Sequence, residues 1–567
     1  MLDVAIVGGG PAGSTVGSLL KKYSPRLNVS IFERERFPRD HVGESLLPII
    51  GQVLDEMGCW DKIEAANFPI KVGATYRWGR TNDLWDFHFL ENGDMAPVAR
   101  PGKYEGQRCR TAFQVDRSIY DKILLDHAAS CGCEVFEETA VTSVNFEDDE
   151  ISGLTLTDGS NVQAKWYIDA SGHSGLLRRS LGVTTDCPTS LRNIAIWDYW
   201  QNAEWMESVG VGGTRIVVAS LGYGWLWFIP LGPTRTSIGL VVPAAYYISS
   251  GLRPESLYEK AISDEPLVEK LTTRATRENK LSSTRDWSFV ADRMTGPNWF
   301  LVGESAGFAD PILSAGLSLA HIGARDVAYA ILATMRGDYE QQWLTNWYEE
   351  KTRKAISQHI RFADFWYSSN GCFTDLIDYT AEIAHDAGLS LLPDEAWQWL
   401  GTGGFVDHNT VGAGFGGYSL RLAKQISGSF LGTGPRYLAG GKNHFQLNLE
   451  GAEKDWGAGL ANGRLTRHRA FRRGTKILPS VRLFGLIMEV TREGASASDI
   501  WTALMEKARS SRMDPQTTSR LVNDAFDVIE AMIADGWLTA TEIAGQPALE
   551  APPEDFRIVG PRTAPAE

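Results

Sequence analysis

The chain opens on Leu2-Asp3-Val4-Ala5-Ile6-Val7, an almost wholly apolar run of strand length, and passes through Gly8–Gly13 into a helical pattern from Ser14 to Lys22. Val29-Ser30-Ile31-Phe32 reads as the next strand. The same alternation returns with a helix over Ser118–Ala129, a strand at Tyr167-Ile168-Asp169 that ends in a small-residue turn, and a strand at Trp299-Phe300-Leu301-Val302. Apolar strands alternating with helices predict an α/β, doubly wound sheet. Between them, Ile216 to Thr234 is the longest uncharged run, but Gly222, Gly224, Pro230, Gly232 and Pro233 interrupt it, so it reads as strand, turn and strand. A helix spans Asn346–Phe365. Residues 401–465 are rich in glycine and poor in periodic pattern, which predicts long loops. After about residue 478 two helical patterns appear, Ala497–Ala508 and Pro515–Ala534, followed by Gly536-Trp537-Leu538 as a turn and an aromatic strand.

A length of 567 residues exceeds what one core supports, so two or three units are expected. The pattern divides into 1–370, 371–475 (loop-rich and covering) and 476–567, whose helix, helix, turn, strand order resembles a winged helix. A net charge of −15 argues against general nucleic-acid binding, which needs a basic footprint. Six cysteines stand without metal-ligand spacing, so no metal is expected and a reducing cytoplasm is the simplest setting. The first apolar run is already a strand, and the longest uncharged run is broken, so neither a signal peptide nor a membrane association is expected. Nineteen tryptophans suit a site for flat aromatic molecules, although core packing explains most tryptophans in most proteins.

Gly8-Gly9-Gly10-Pro11-Ala12-Gly13 lies between a strand and a helix, the context that gives a dinucleotide fingerprint its meaning. Gly8 allows the tight turn, Gly10 lets the backbone approach a pyrophosphate, and Gly13, beside Ala12, allows close helix packing. Glu33 stands at the end of the next strand, where a carboxylate accepts hydrogen bonds from an adenosine ribose. A purely structural glycine turn is the alternative. Tyr167–Gly172 and Trp299–Gly307 then resemble the second and third segments of the large FAD family of aromatic hydroxylases and halogenases. That resemblance implies flavin contacts at Gly303 and Glu304, where the family normally carries Gly-Asp, and at Gln114 and Arg117, which a surface helix start explains equally well. A second glycine pattern, Gly412–Gly417, lacks a preceding strand, so no NAD(P)H domain is expected.

Four further segments narrow the likeness: Phe37–Pro48, Phe68-Pro69-Ile70-Lys71-Val72-Gly73, Trp225-Leu226-Trp227-Phe228-Ile229-Pro230, and Asp310–Gly316. Together and in this order they resemble the flavin-dependent halogenases. The likeness is closest to the branch that includes the halogenase of chloramphenicol biosynthesis, and weaker to the tryptophan halogenases, which carry Glu where this chain has Leu313.

The resemblance implies a FAD-binding Rossmann-like domain (segments 1–80, 105–180 and 280–345) with an inserted antiparallel β-sheet substrate domain (71–110 and 185–280). It implies reduced FAD supplied by a separate flavin reductase, oxygen, and chloride or bromide, with a flavin hydroperoxide oxidising the halide to hypohalous acid. Backbone N–H groups of Ala315 and Gly316 would bind the halide, and Lys71 would deliver the oxidant to an electron-rich carbon of a small-molecule or carrier-tethered substrate. Trp225, Trp227 and Pro230 would wall that substrate from the flavin, Glu44 would serve as base, and Asp286 would hold FAD covalently. Bland readings stand beside these: a solvated lysine, a helix-start carboxylate at Glu44, and a satisfied histidine at His359. The competing functions are a monooxygenase of the same fold and a nucleic-acid-binding redox sensor. A basic cluster, Arg464, Arg467, His468, Arg469, Arg472, Arg473 and Lys476, reads either as a dock for an acidic carrier protein or as local ion pairing.

Overall fold

A computed structural model describes residues 1–78, 84–90, 100–187, 189, 192–206, 213–286, 288–369, 414–415, 418–419, 437–474, 476–550 and 559–562. The chain divides into two compact units, one of residues 1–374 with 462–464 and 556–567, the other of 375–461 with 465–555. Along the first unit run β1 (Leu2–Val7), α1 (Pro11–Tyr23), β2 (Val29–Phe32), β3 (Ile70–Arg77), α2 (Arg117–Ser130) and β4 (Ala164–Asp169). There follow β5 (Asn193–Gln201), β6 (Gly213–Leu221), β7 (Gly224–Pro230), β8 (Arg235–Pro243), β9 (Trp299–Leu301), α3 (Gly316–Arg336) and α4 (Gln341–Ser369).

Among the described residues, β9, β4, β1, β2 and Glu134–Phe136 pair in that order, all parallel. Val4, Ala5 and Ile6 are completely buried, as a central parallel strand covered on both faces requires. Gly8 follows with φ +104°, and a Cβ there would sit 2.3 Å from the Ala170 carbonyl oxygen, so only glycine makes this turn. The strand ends therefore deliver the fingerprint loop, Glu33 and the turns after β4 and β9 to one edge of the sheet, the switch-point geometry of nucleotide-binding folds.

The second sheet of this unit runs β5, β8, β7, β6, β3, Leu84–His88 and residues 559–562. All its neighbours are antiparallel except the parallel pair β6 and β3. Every residue of β6 and β7 is buried, which is why the sequence there shows a continuous apolar run and no alternation. Trp227 lies opposite Gly239 on β8, and a Cβ at Gly239 would come within 2.0 Å of the indole. The missing side chain is thus what makes room for Trp227.

In the second unit, helices Arg482–Val490, Ala497–Ser510 and Pro515–Ala534 pack with a sheet in which His444–Leu447 pairs with Ala495–Ser496 and Leu538–Thr541. Phe445, Phe484, Ile487, Ile500, Phe526 and Trp537 form its core. Two expectations change here. Residues 453–461 and 464–473 are strands and not loops, and their glycines face cross-strand side chains: a Cβ at Gly457 would meet His468 at 2.2 Å. The helix Arg482–Val490 has no sequence counterpart in the expected elements because Gly485 interrupts its apolar run; that glycine lies against the backbone of Ser480. Most of Gly412–Gly417, and the covering segment before residue 437, lie outside the described residues.

Gly239→Ala should destabilise the protein by about 1–3 kcal/mol through overpacking against Trp227. A shift of the urea midpoint checks this, with Gly232→Ala, where a Cβ would meet nothing within 4 Å, as the control.

Candidate functional site

The fingerprint loop forms the floor of the first site. Gly13 is closed to any side chain, since its Cβ would lie 2.0 Å from the Gly8 carbonyl oxygen, whereas Gly10 faces open space with only Arg39 Nη2 nearby, at 3.5 Å. Ala12 packs near Gly303, whose φ of +66° shapes the turn after β9. Glu33 accepts hydrogen bonds from Gly9 N–H at 2.7 Å and Glu35 N–H at 2.9 Å. A carboxylate has about four lone-pair sites, so capacity for ribose hydroxyls remains.

Arg117 is buried and forked onto Asp121 at 2.7 and 2.9 Å, while its Nη1 donates to the carbonyls of Val42 and Gly43. Burial pushes the Glu304 carboxyl above the usual carboxylate range, opposed by the Arg117 charge and the His173 N–H. Gln114 buries both amide atoms and Ser45 its hydroxyl, and none of the three atoms has a hydrogen-bond partner among the described residues. Buried polar atoms are seldom left so, and a polar ligand supplies what they lack. FAD fits this cradle: an open approach at Gly10 beside a guanidinium, an acid at the ribose position, and unpaired amide and hydroxyl groups beyond.

Lys71, on β3, is 1% exposed. Its Nζ donates to the Leu46 carbonyl at 3.1 Å and lies 5.5 Å from the centre of the Phe89 ring, with no ion pair among the described residues. Burial alone pushes its pKa down to about 7. Glu44, two residues before Leu46, is buried too, and burial pushes its pKa up to about 7 despite a 3.0 Å hydrogen bond from Tyr199 and the Arg117 charge. Two groups of opposite type, Glu44 in the segment 44–46 and Lys71 hydrogen-bonded to that segment, are thus brought to the same titration range.

Trp225 and Trp227 are buried on one face of β7, their rings 6.0 Å apart, with Pro230 closing the strand. Trp225 Nε1 donates to Tyr367 at 2.9 Å and Trp227 Nε1 to Ser237 at 3.1 Å. In the Asp310–Gly316 loop, Ser314 takes a left-handed φ of +56°, Ala315 precedes α3, and Gly316 begins it. No side chain caps α3, and Ser318 in its first turn buries an unpartnered hydroxyl. A helix of 21 residues with its first N–H groups uncapped is a ready anion site.

Asp286 ends Ser282–Asp286, which pairs with β5 opposite Asn193, and its side chain lies outside the described residues. His359 is buried and hydrogen-bonded to Ala355 O at 2.8 Å. Arg39, Ser45, Asp121, Tyr199 and Tyr367 belong to the site without having been assigned a part from sequence. Only Asp121 carried a local signal, four residues after Arg117 on one helical face.

A family model described as tryptophan halogenase matches residues 3–104 and 90–372. The chain belongs to the flavin-dependent halogenases. This halogenase is 32% identical over 387 residues to a 1H-pyrrole-2-carbonyl-[peptidyl-carrier protein] chlorinase of Pseudomonas fluorescens, covering 66% of this chain and 85% of that one. It is 29% identical over 395 residues to the flavin-dependent halogenase armH1 of Armillaria mellea, covering 63% and 70% respectively. Among solved structures, the flavin-dependent halogenase CmlS matches with a TM-score of 0.71 and 25% identity over 97% of this chain and 98% of its own. The myxobacterial chondrochloren halogenase CndH matches with a TM-score of 0.59 and 28% identity over 70% and 92%. Flavin-dependent halogenases use FAD and generally need a separate flavin reductase. Among the described residues, no helix of the halogenase is long and apolar enough to cross a membrane.

Burial of Lys71 should cost the halogenase stability. Its ammonium titrates near 7 when folded against 10.5 in the unfolded chain, so stability falls as pH drops from about 10.5 to about 7 and the loss is constant below. Lys71→Met should therefore raise the melting temperature at pH 7 by several degrees, by at most roughly 5 kcal/mol at 1.36 kcal/mol per unit, with the gain vanishing near pH 10. Thermal melts with FAD present across that range check the sign.

Proposed function

We propose that this halogenase is a chlorinase that oxidises chloride to hypochlorous acid and delivers it through Lys71 to an electron-rich carbon of a natural-product intermediate, free or tethered to a carrier protein. The observation that carries the reading is the fully buried Lys71, held by one backbone carbonyl and one aromatic face and without an ion pair among the described residues.

Gly8, Gly10, Ala12, Gly13, Glu33, Arg117, Gly303 and Glu304 would hold FAD, with Arg39 and Gln114 beside them and Asp286 as a covalent anchor. Bound reduced FAD would supply two electrons and two protons, so that chloride, oxygen and one further proton yield hypochlorous acid and water. Backbone N–H groups of Ala315 and Gly316 hold the anion in a water-poor turn, where the helix N-terminus favours negative charge. Trp225, Trp227 and Pro230 exclude the organic substrate, leaving a small neutral oxidant as the only species that moves on.

At Lys71 a neutral amine, available because burial lowers its pKa, either hydrogen-bonds the oxidant or takes its chlorine with loss of water. The substrate carbon then gains chlorine and loses a proton. Glu44 accepts that proton as a carboxylate, and Tyr199 orients it. The carrier-tethered form is supported by the pyrrole-carbonyl carrier-protein chlorinase among the relatives. The basic cluster supports it less: Arg472 pairs with Asp455 at 2.7 Å, Arg473 stacks on Trp537, and Lys476 lies 3.6 Å from Asp535. A brominase is distinguished by halide competition.

With FAD, a flavin reductase, NADH, oxygen, chloride and monochlorodimedone, mass spectrometry should show a product with the chlorine isotope pattern. Lys71→Ala should lower its yield by about 10²–10⁴-fold while FAD binding persists. A hydroxylated product formed without halide would instead place this chain among monooxygenases.

The carboxylate of Glu44 and the free amine of Lys71 are both needed, and both titrate near 7. The logarithm of the single-turnover chlorination rate should therefore fall below pH 7 with a slope approaching two, and with a slope of one in Glu44→Gln. Tyr199→Phe removes a donor that favours the Glu44 carboxylate, so the acid limb should move to higher pH.

A further inference from the structure

We propose that Tyr367 is a positioning residue that fixes the Trp225 indole and the Asp310–Gly316 loop in one arrangement, so that the substrate-side wall and the halide pocket are set by the same atom. The inference rests on the reading that Ala315 and Gly316 hold the halide.

Tyr367 lies near the end of α4 and is completely buried. Trp225 Nε1 reaches its hydroxyl oxygen at 2.9 Å and Asn193 Nδ2 at 3.3 Å. Both are donors, so both lone pairs of the hydroxyl are engaged. Its one proton is then directed at the Asp310 carboxylate, whose two oxygens lie 3.1 and 3.2 Å away. Asp310 in turn accepts Ile312 N–H at 2.8 Å, which closes the turn Pro311–Leu313 that leads to Ser314 in its left-handed conformation. A non-glycine residue keeps such a backbone only where its surroundings hold it. The acceptor side of one hydroxyl therefore sets the indole, and the donor side sets the loop that precedes the uncapped N-terminus of α3. Phenylalanine would fill the same space and do neither.

The three contacts join segments 142, 174 and 57 residues from Tyr367, and all three sit on different elements. A displacement of α4 is consequently felt at the wall and at the anion turn together. Trp225 excludes a large molecule and the turn admits a small ion, so coupling them keeps the pocket dry when the halide is in place.

The test is chloride titration of FAD-loaded, full-length protein, read from the change in flavin absorption. Tyr367→Phe should weaken chloride binding about 10-fold, the size of one lost hydrogen bond to a charged group, while FAD affinity stays within twofold. Asp310→Asn, which keeps an acceptor for Ile312 N–H, should weaken it in the same direction and serves if Tyr367→Phe does not load FAD. Trp225→Phe should change chloride affinity in the natural protein and add nothing in the Tyr367→Phe background. Unchanged chloride affinity in both Tyr367→Phe and Asp310→Asn, or fully additive effects with Trp225→Phe, would overturn the proposal. Ala315→Pro separates it from the halide reading: if removing that N–H leaves chloride binding intact with FAD bound, the halide site itself lies elsewhere.

Discussion

An amine buried without a counter-ion is the constraint on which the rest of the site depends. Lys71 costs folding free energy as an ammonium and would, in the proposed mechanism, be useful as an amine, and one structural choice produces both effects: burial with no carboxylate within ion-pair reach among the described residues. The nearest acid in sequence to its carbonyl partner, Glu44, is occupied by Tyr199 and is itself buried. A salt bridge between the two would have stabilised the fold and silenced both groups. Segment 42–46 keeps them apart by being tied at nearly every residue: Val42 and Gly43 to Arg117, Glu44 to Val115 and Tyr199, Leu46 to Phe113 and Lys71.

That segment also joins the two sheets functionally. Arg117 stands at the start of α2 in the nucleotide-binding layer, while Lys71 lies on β3 and Tyr199 on β5 in the antiparallel sheet. The loop between links residues proposed to meet the flavin to residues proposed to meet the oxidant and the substrate. In the proposed reading the parallel sheet would carry the cofactor at its strand ends, and the antiparallel sheet, fully buried along β6 and β7, would supply the wall.

Much of this was legible in the sequence wherever the physical demand is local. β1, β2 and the helix Pro515–Ala534 follow their apolar pattern to the residue, and the glycine at position 8 stands where no other residue makes the turn. Tyr199 and Tyr367 were not legible, because their meaning lies in partners 155 and 142 residues away, and within their own segments each is one aromatic among several. The strands of 453–473 were missed for a related reason: their glycines answer to bulky neighbours across the strand and not to flexibility. Lys71 was readable only through the company of the surrounding motifs, since a single lysine in an apolar hexapeptide has no pattern of its own.

The antiparallel sheet has one more feature of consequence. Its strand Leu84–His88 pairs with residues 559–562, so a segment far downstream extends the sheet that carries Lys71. A protein made from its N-terminus outward cannot form that pairing until residues 559–562 have left the ribosome. The sheet that carries Lys71 must wait, with Leu84–His88 unpaired on that side, while more than four hundred intervening residues emerge from the ribosome. Closure of that sheet edge is thereby tied to synthesis of residues 559–562, and a chain terminated before them would carry the Gly8–Gly13 loop beside an open strand.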